Sequence, residues 1–275
     1  MIKVATIAGS DASGGAGLEA DLKTFEEYGL YGMAAVTLIA TMDPGNDWSH
    51  KVFPLEENTL RSQLETIFCG VGVSAAKTGM LGTFYAVDLA REFLEKCKIK
   101  NYVLDPVMVC KGAGEALNPE LNAAVEKNLL PLAEIATPNL FEAEQLSGLN
   151  EIGTVEQVKE AAKIIHGKGA RHVLIKGGVK LKEAVAVNKA VDIFYDGREF
   201  RILEENLIKT ACTHGAGCTV SAAVASGLAR GLPLWESVVL AKRFITASLK
   251  AGFALNKWVG PGNPSAWRKN KLFGK

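Results

Sequence analysis

The chain has 275 residues, 48% hydrophobic and 22% charged, an ordinary globular composition that excludes a disordered, collagenous or coiled-coil chain. Lys plus Arg number 31 and Asp plus Glu 30, leaving a formal charge of +1 and no pointer toward nucleic acid or a membrane surface. The 5 cysteines include no CxxC pair, so neither a disulfide framework nor a structural zinc site is expected, and a reducing cytoplasm suits them.

The N-terminal MIKVATIAGS reads as a strand over 4–8 and not as a signal peptide. Glycines follow, then a helix over about 18–28, a buried strand over 34–40 and a helix over 56–68. The alternation continues with a strand at 73–77, a helix at 84–96, a strand at 102–105 closed by Pro106, and a helix at 120–130. A short strand at 135–136, helices at 139–146 and 155–166, and a strand at 173–175 complete the series. Helices between short buried strands predict a parallel sheet with helices on both faces. Beyond Lys180 the pattern changes: strands at 191–195 and 199–203 flank Asp196-Gly197, a hairpin signal for antiparallel edge strands. Helices over 218–230 and 234–253 follow. The uncharged stretch from Thr210 to Ala229 holds His214 and several Thr, Ser and Gly, a poor membrane span. One α/β domain over 1–275 is expected, with ligands at the carboxyl ends of the strands, at Asp11, Asp43, Gly79, Asp105, Asn139 and Gly177.

Five segments carry candidate chemistry, each beside a plain structural alternative. Gly15-Ala16-Gly17-Leu18-Glu19-Ala20 matches the dinucleotide fingerprint GxGxxG/A, so a dinucleotide-dependent oxidoreductase is a rival reading; small residues in a tight turn are the alternative. Thr213-His214-Gly215-Ala216-Gly217-Cys218 opens an apolar helix, which predicts an anion site and a Cys218 thiol of lowered pKa that could act as a base. The alternative there is a buried structural cysteine. Pro138-Asn139-Leu140-Phe141-Glu142 reads as a helix cap, or as a Glu holding a divalent cation through water. Asp105-Pro106 leads into a loop with Cys110, Lys111, Gly112 and Gly114 that suits a lid with a reactive thiol, or an ordinary surface loop. Lys176-Gly177-Gly178 ends a strand with a cation and bare backbone, suited to polyphosphate. His50, His166 and His172 read as surface or packing residues; Cys69, Cys97 and Cys212 read as structural, and the tryptophans as scattered.

Taken together, AGSDASGGAGLEADLKTF (8–25), KTGML (77–81), DPVMV (105–109), TPNLFEAEQLSG (137–148), IKGG (175–178) and THGAGCTVSAAVASGLARG (213–231) occur in an order that closely resembles the hydroxymethylpyrimidine phosphate kinase and pyridoxal kinase branch of the ribokinase-like superfamily. The resemblance runs from Ile2 to about Pro264. It implies a three-layer α/β/α fold with a mostly parallel sheet, and an ATP-dependent kinase acting on a hydroxymethyl group of a small heteroaromatic ring. Mg²⁺, and in some members K⁺, accompany ATP, and a homodimer is implied. Cys218 stands at the position of the catalytic base. Gly215, Ala216 and Gly217 form the anion hole, with Thr213, Asn139, Lys176, Gly177, Gly178 and Lys242 on the ATP side and Glu142 organising the metal. Gly9, Asp11, Leu18, Met80, Asp105 and Val107 belong to the acceptor pocket, which weakens the dinucleotide reading.

Two departures choose within the branch. Met42 stands where the pyrimidine kinases usually carry a Gln that reads the ring, and Cys110-Lys111-Gly112 replaces their Ala-Lys-Ser. The lid Cys110 with Cys218 looks like the dual-cysteine pyridoxal kinases of Gram-positive bacteria, in which the lid thiol adds to the pyridoxal aldehyde as a hemithioacetal. The expectation is therefore a vitamin B6 kinase, with hydroxymethylpyrimidine (phosphate) phosphorylation as the alternative.

Overall fold

A computed structural model describes residues 1–108 and 118–268. Its frame is one nine-stranded sheet in the order β3-β2-β1-β4-β5-β6-β7-β8-β9. The strands are β1 (Lys3–Asp11), β2 (Tyr31–Asp43), β3 (Ser49–Pro54), β4 (Ala75–Thr78), β5 (Tyr102–Leu104), β6 (Ile135–Ala136), β7 (Val173–Gly178), β8 (Lys189–Tyr195) and β9 (Phe200–Asn206). From β2 through β7 neighbouring strands run parallel; β3, β8 and β9 are antiparallel. The central strands read as short apolar runs because both faces are covered: Val4, Ala5, Ile7, Ala75, Ala76, Val103 and Ile135 are fully buried.

The helices are α1 (Gly17–Glu27), α2 (Glu57–Leu64), α3 (Phe84–Lys96), α4 (Pro119–Leu129), α5 (Leu140–Ser147), α6 (Val155–Gly167), α7 (Lys182–Ala186), α8 (Ala216–Ala229) and α9 (Leu234–Lys250). They form two layers. Side chains of α2 through α6 meet one face of the sheet in a core around Leu60, Phe93, Leu129, Leu146 and Ile165. On the other face α1, α8 and α9 pack around Phe25, Val224 and Phe244. Alternating strands and helices thus build the three-layer arrangement expected from the sequence.

The hairpin between β8 and β9 forms at Asp196-Gly197: Asp196 accepts from the Arg198 and Glu199 amides at 2.9 and 2.7 Å. Several elements differ from expectation, among them the short α7 at Lys182–Ala186, which the sequence analysis did not predict. The helix at 56–68 is two pieces, α2 and a π-helical turn over Glu65–Val71 that ends at Gly72. The strand β3 was not anticipated, because Ser49–Pro54 is mostly exposed and has no buried alternation. The last helix stops at Lys250, not Phe253. No helix among the described residues is long and apolar enough to cross a membrane.

Candidate active site

Two helix starts meet above the carboxyl ends of the central strands. Gly215 lies in the left-handed region (φ +74°) before α8, and a Cβ there would run into the Gly15 carbonyl, so the loops before α1 and α8 touch backbone to backbone. Gly17 is also left-handed (φ +57°), and its amide hydrogen-bonds toward the Cys218 sulfur. The acceptor-side and anion-hole segments predicted from the sequence are therefore one structure.

On the acceptor side, the Asp11 carboxylate accepts from the Ser13 and Ala16 amides at 2.8 Å each and lies 2.7 Å from His214 Nε2. Glu19 accepts from the Asp11 amide at 2.8 Å and from Ser10 Oγ at 2.6 Å. Burial alone would raise the Asp11 carboxyl, but the hydrogen bonds from His214 and Ser13 override it and lower it to about 2. The Asp11 carboxylate takes the Ala16 amide inside the fingerprint turn, which disfavours a dinucleotide pyrophosphate there. Gly9 packs against Leu38, Leu18 is buried, and the half-buried Met80 accepts from Thr37 Oγ1 through its carbonyl at 2.8 Å. Met42 pairs with His50 across β2 and β3. His50 is not a remote surface residue: burial, and then the nearby His214 charge, lower its pKa, and Asp11 opposes them. Asp43, by contrast, is turned away into the β2–β3 turn, where it binds Lys51 and the Gly45 amide.

On the nucleotide side, Asn139 and Glu142 form a complete capping box: Asn139 Oδ1 accepts from the Glu142 amide at 3.0 Å, and Glu142 Oε2 accepts from the Asn139 amide at 2.8 Å. Lys176 leaves β7 beside them, with Nζ 2.9 Å from Asp105 Oδ1. Its ammonium also borders the anion hole, since a Cβ on Gly217 would sit 3.4 Å from Lys176 Nζ. Burial opposes the Lys176 charge, but Asp105 and Glu142 raise its pKa. Lys242 reaches this region indirectly: its Nζ lies 2.6 Å from Asp192, which in turn accepts from the Gly178 amide at 3.2 Å. Gly177 packs against the Val191 carbonyl, and the Thr213 carbonyl accepts from the Ala216 amide at 3.2 Å. The Val107 amide bonds the Asp105 carbonyl at 2.9 Å. Cys110, Lys111 and Gly112 lie outside the described residues.

Beneath the anion hole lies a buried ionic cluster that sequence reasoning missed. Lys77 of β4 is fully buried, with Nζ 2.9 Å from Asp21 of α1 and 3.9 Å from Asp105. Thr6 Oγ1 donates to Asp21 at 2.7 Å, and Ser221 Oγ reaches Asp105 Oδ2 and the Cys218 carbonyl at 3.0 Å each. Burial opposes ionisation throughout, yet Asp21 and Asp105 hold Lys77 protonated, and Lys176 and Lys77 lower Asp105. The signal was present in the sequence: Lys77 interrupts the run Ala75-Ala76, and Asp21 shares a helix face with Leu18 and Phe25.

The expectation for Cys218 fails in one respect. Burial pushes its thiol up to about 11; Lys77 and the Gly17 amide pull it down, while Asp21 and Asp105 add to the rise. Cys69 is exposed rather than structural, with its sulfur 3.8 Å from that of Cys97. The tryptophans are not all scattered either: Trp48 stacks on Trp258 at 5.2 Å between centroids.

The family model for phosphomethylpyrimidine kinase matches residues 11–263, and the chain belongs to that family of ribokinase-like kinases. A pyridoxine kinase of Bacillus subtilis (strain 168) is 54% identical over 271 residues, covering 98% of both chains. The crystal structure of an ADP complex of Bacillus subtilis pyridoxal kinase superposes with a TM-score of 0.93 at 54% identity, covering 98% of this chain and 99% of the other. The pyridoxal kinase of Staphylococcus aureus in complex with AMP-PCP and pyridoxal superposes with a TM-score of 0.91 at 46% identity, covering 98% and 95%.

Proposed function

We propose that this chain is an ATP-dependent kinase of the 5′-hydroxymethyl group of pyridoxal, pyridoxine and pyridoxamine, acting in vitamin B6 salvage. The observation that carries the reading is the convergence of Lys176, the Asn139–Glu142 cap and Cys218 on one glycine turn, in a chain with full-length likeness to pyridoxal kinases. The reaction is an in-line transfer. Cys218 accepts the 5′-hydroxyl proton as that oxygen bonds the γ-phosphorus and ADP leaves. The amides of the Gly215–Cys218 turn and the Lys176 ammonium balance charge on the transferring group. Asp11, Leu18, Met80, Asp105 and Val107 line the acceptor side, and Thr213, Gly177, Gly178 and Lys242 support the nucleotide.

Mg²⁺ fits the donor chemistry. Among the described residues no group of three or more His, Cys, Asp or Glu could hold a metal. Mg²⁺ commonly binds through substrate phosphates and one or two carboxylates, with water between. Glu142, a buried hard-oxygen donor beside Asn139 and Lys176, would hold it that way, and the ion would neutralise phosphate charge. K⁺ belongs to the same proposal as an accessory cation. One domain spans the chain, supported by the single continuous sheet. A reducing cytoplasm suits the free thiols of Cys69, Cys97, Cys212 and Cys218. A homodimer is supported by the exposed apolar Ile39, Val52 and Phe53 on the β2–β3 edge.

Hydroxymethylpyrimidine (phosphate) phosphorylation is a second reading, because the family model is named for phosphomethylpyrimidine kinase and a hydroxymethylpyrimidine/phosphomethylpyrimidine kinase of Haemophilus influenzae is 36% identical. Met42 lacks the hydrogen-bonding group that would read an aminopyrimidine, and this favours the B6 vitamers. Cys110 would add its thiol across the pyridoxal aldehyde, the sulfur bonding the carbonyl carbon and the proton passing to its oxygen. Pyridoxine and hydroxymethylpyrimidine carry no aldehyde. A coupled ATP-consumption assay over the three vitamers and hydroxymethylpyrimidine tests the function, and Cys110→Ala tests the lid thiol. We expect turnover on all three vitamers and a selective loss on pyridoxal in Cys110→Ala. Turnover on hydroxymethylpyrimidine alone would reject the reading, and equal losses on pyridoxal and pyridoxine would remove the covalent role.

A further inference from the structure

The cluster under the anion hole holds four ionisable groups, among which burial raises the Asp21 carboxyl against the pull of Lys77. Lys77 and Lys176 are opposed by Asp21 and Asp105, and Ser221 Oγ ties Asp105 to the backbone carbonyl of Cys218 at the cluster's edge. A buried ion pair contributes little to stability compared with well-packed apolar residues of the same volume. Lys77 stands in a four-residue strand whose other members, Ala75, Ala76 and Thr78, are small and buried, so packing alone gives no reason for a charge there. Its ammonium lies on the site's side of the sheet, between the carboxylate of α1 and the carboxylate that also holds Lys176.

We propose that Lys77 is a positioning residue for phosphoryl transfer: clamped between Asp21 and Asp105, its ammonium offsets part of the burial that keeps the Cys218 sulfur protonated and so eases its proton uptake from the substrate. This rests on Cys218 being the base. The charged groups facing Cys218 are Lys77 from β4, Asp21 from α1, Asp105 after β5 and Lys176 from β7, together with the Gly17 amide. Lys77 and Asp21 act on the sulfur with opposite signs. Without Lys77 a thiolate would face two carboxylates with one cation beyond them. Without Asp21 the same thiolate would face Lys77 with one carboxylate fewer.

The opposite signs define the test. Alkylation of Cys218 by iodoacetamide is followed by peptide-resolved mass spectrometry on the full-length protein, alongside kcat against pH. Lys77→Met should slow alkylation and Asp21→Asn should speed it. A tenfold change in thiolate fraction, less the accompanying change in nucleophilicity, reads as about a threefold change in rate. The rising limb of kcat should move to higher pH in Lys77→Met and to lower pH in Asp21→Asn. A merely structural role would loosen the site in both variants and change both rates in the same direction, which overturns the proposal, as does no change in either. If Lys77→Met fails to fold, the charge-balanced pair Lys77→Met/Asp21→Asn carries the test and must alkylate more slowly than Asp21→Asn alone. Retained turnover in Cys218→Ala would remove the base itself, and the alkylation ratios would still decide whether Lys77 sets the field at that sulfur.

Discussion

At the scale of single residues, a thiol at a helix start feels two opposing effects. Amides and dipole favour the thiolate, while loss of water favours the thiol. At Cys218 burial prevails, and the thiol is pushed up to about 11. Only the first effect is legible in Gly-Ala-Gly-Cys, because depth below the surface depends on what the rest of the chain lays over that turn. It follows that exposed Cys69 should alkylate faster than Cys218 in the free protein, the reverse of the order expected from the sequence. Cys218→Ala should still lower kcat by roughly 10²–10⁴ with ATP affinity little changed, measured in the coupled assay. Asp11 offers a stability test. Its carboxyl is lowered to about 2 in the folded chain, so the stabilisation is fully present above the unfolded value and is lost as pH falls toward 2. Asp11→Asn should therefore cost about 2 kcal/mol at neutral pH and flatten the acid limb of stability against pH, followed by urea unfolding. Lys77 and Asp21 carried a weaker signal: each is a charge at an apolar position, but their pairing lies across 56 residues of sequence.

At the scale of elements, two helices carry the same cap in different places. Asn139 with Glu142 opens α5 at the site, and Thr154 with Gln157 opens α6 away from it. Losing either cap side chain should cost about 1 kcal/mol of stability. Thr154→Ala should show that cost in thermal unfolding and keep its kcat. Asn139→Ala should show the same cost and also lose turnover, because Asn139 Oδ1 accepts from the Glu142 backbone amide and so fixes the helix start that carries the Glu142 carboxylate next to Lys176. Equal kcat in the two variants would make the Asn139 cap purely structural. The sequence marked both caps as element starts, since Asn and Thr followed three residues later by Glu and Gln are local signals. It did not mark β3, whose place depends on β2 alone: Ser49–Pro54 joins the sheet through backbone bonds while most of its side chains face solvent. The π-helical turn at 65–71 is likewise set by packing of Ile67 and Phe68, not by any local breaker before Gly70.

At the scale of the whole molecule, the strand order places the two halves of the site. β1 and β2 lie to one side of β4 and carry the acceptor segment, while β6 and β7 lie to the other and lead into Asn139 and Lys176, which Asp105 after β5 joins to the acceptor side. Strand alternation announced the parallel sheet, and the hairpin signal announced its far edge. The near edge was silent, and the proposed homodimer is tested there. There β3 ends the sheet, and Ile39 and Phe53 stand directly opposite each other across β2 and β3, 42% and 53% exposed. An apolar cross-strand pair on an edge invites a second chain, and natural edges without a partner usually carry charge instead. The same hairpin brings Met42 and His50 toward the acceptor side, so covering it would also steady that wall of the pocket. Phe53→Lys places a charge at the centre of the patch without touching the core. Size-exclusion chromatography with light scattering should find the parent chain as a dimer and Phe53→Lys as a monomer, with little loss of thermal stability at low protein concentration. A parent chain of monomer mass, or a Phe53→Lys dimer as tight as the parent, would place the dimer contact elsewhere or nowhere. A monomeric variant whose KM for pyridoxal rises while its KM for ATP holds would tie the edge contact to the acceptor pocket it borders.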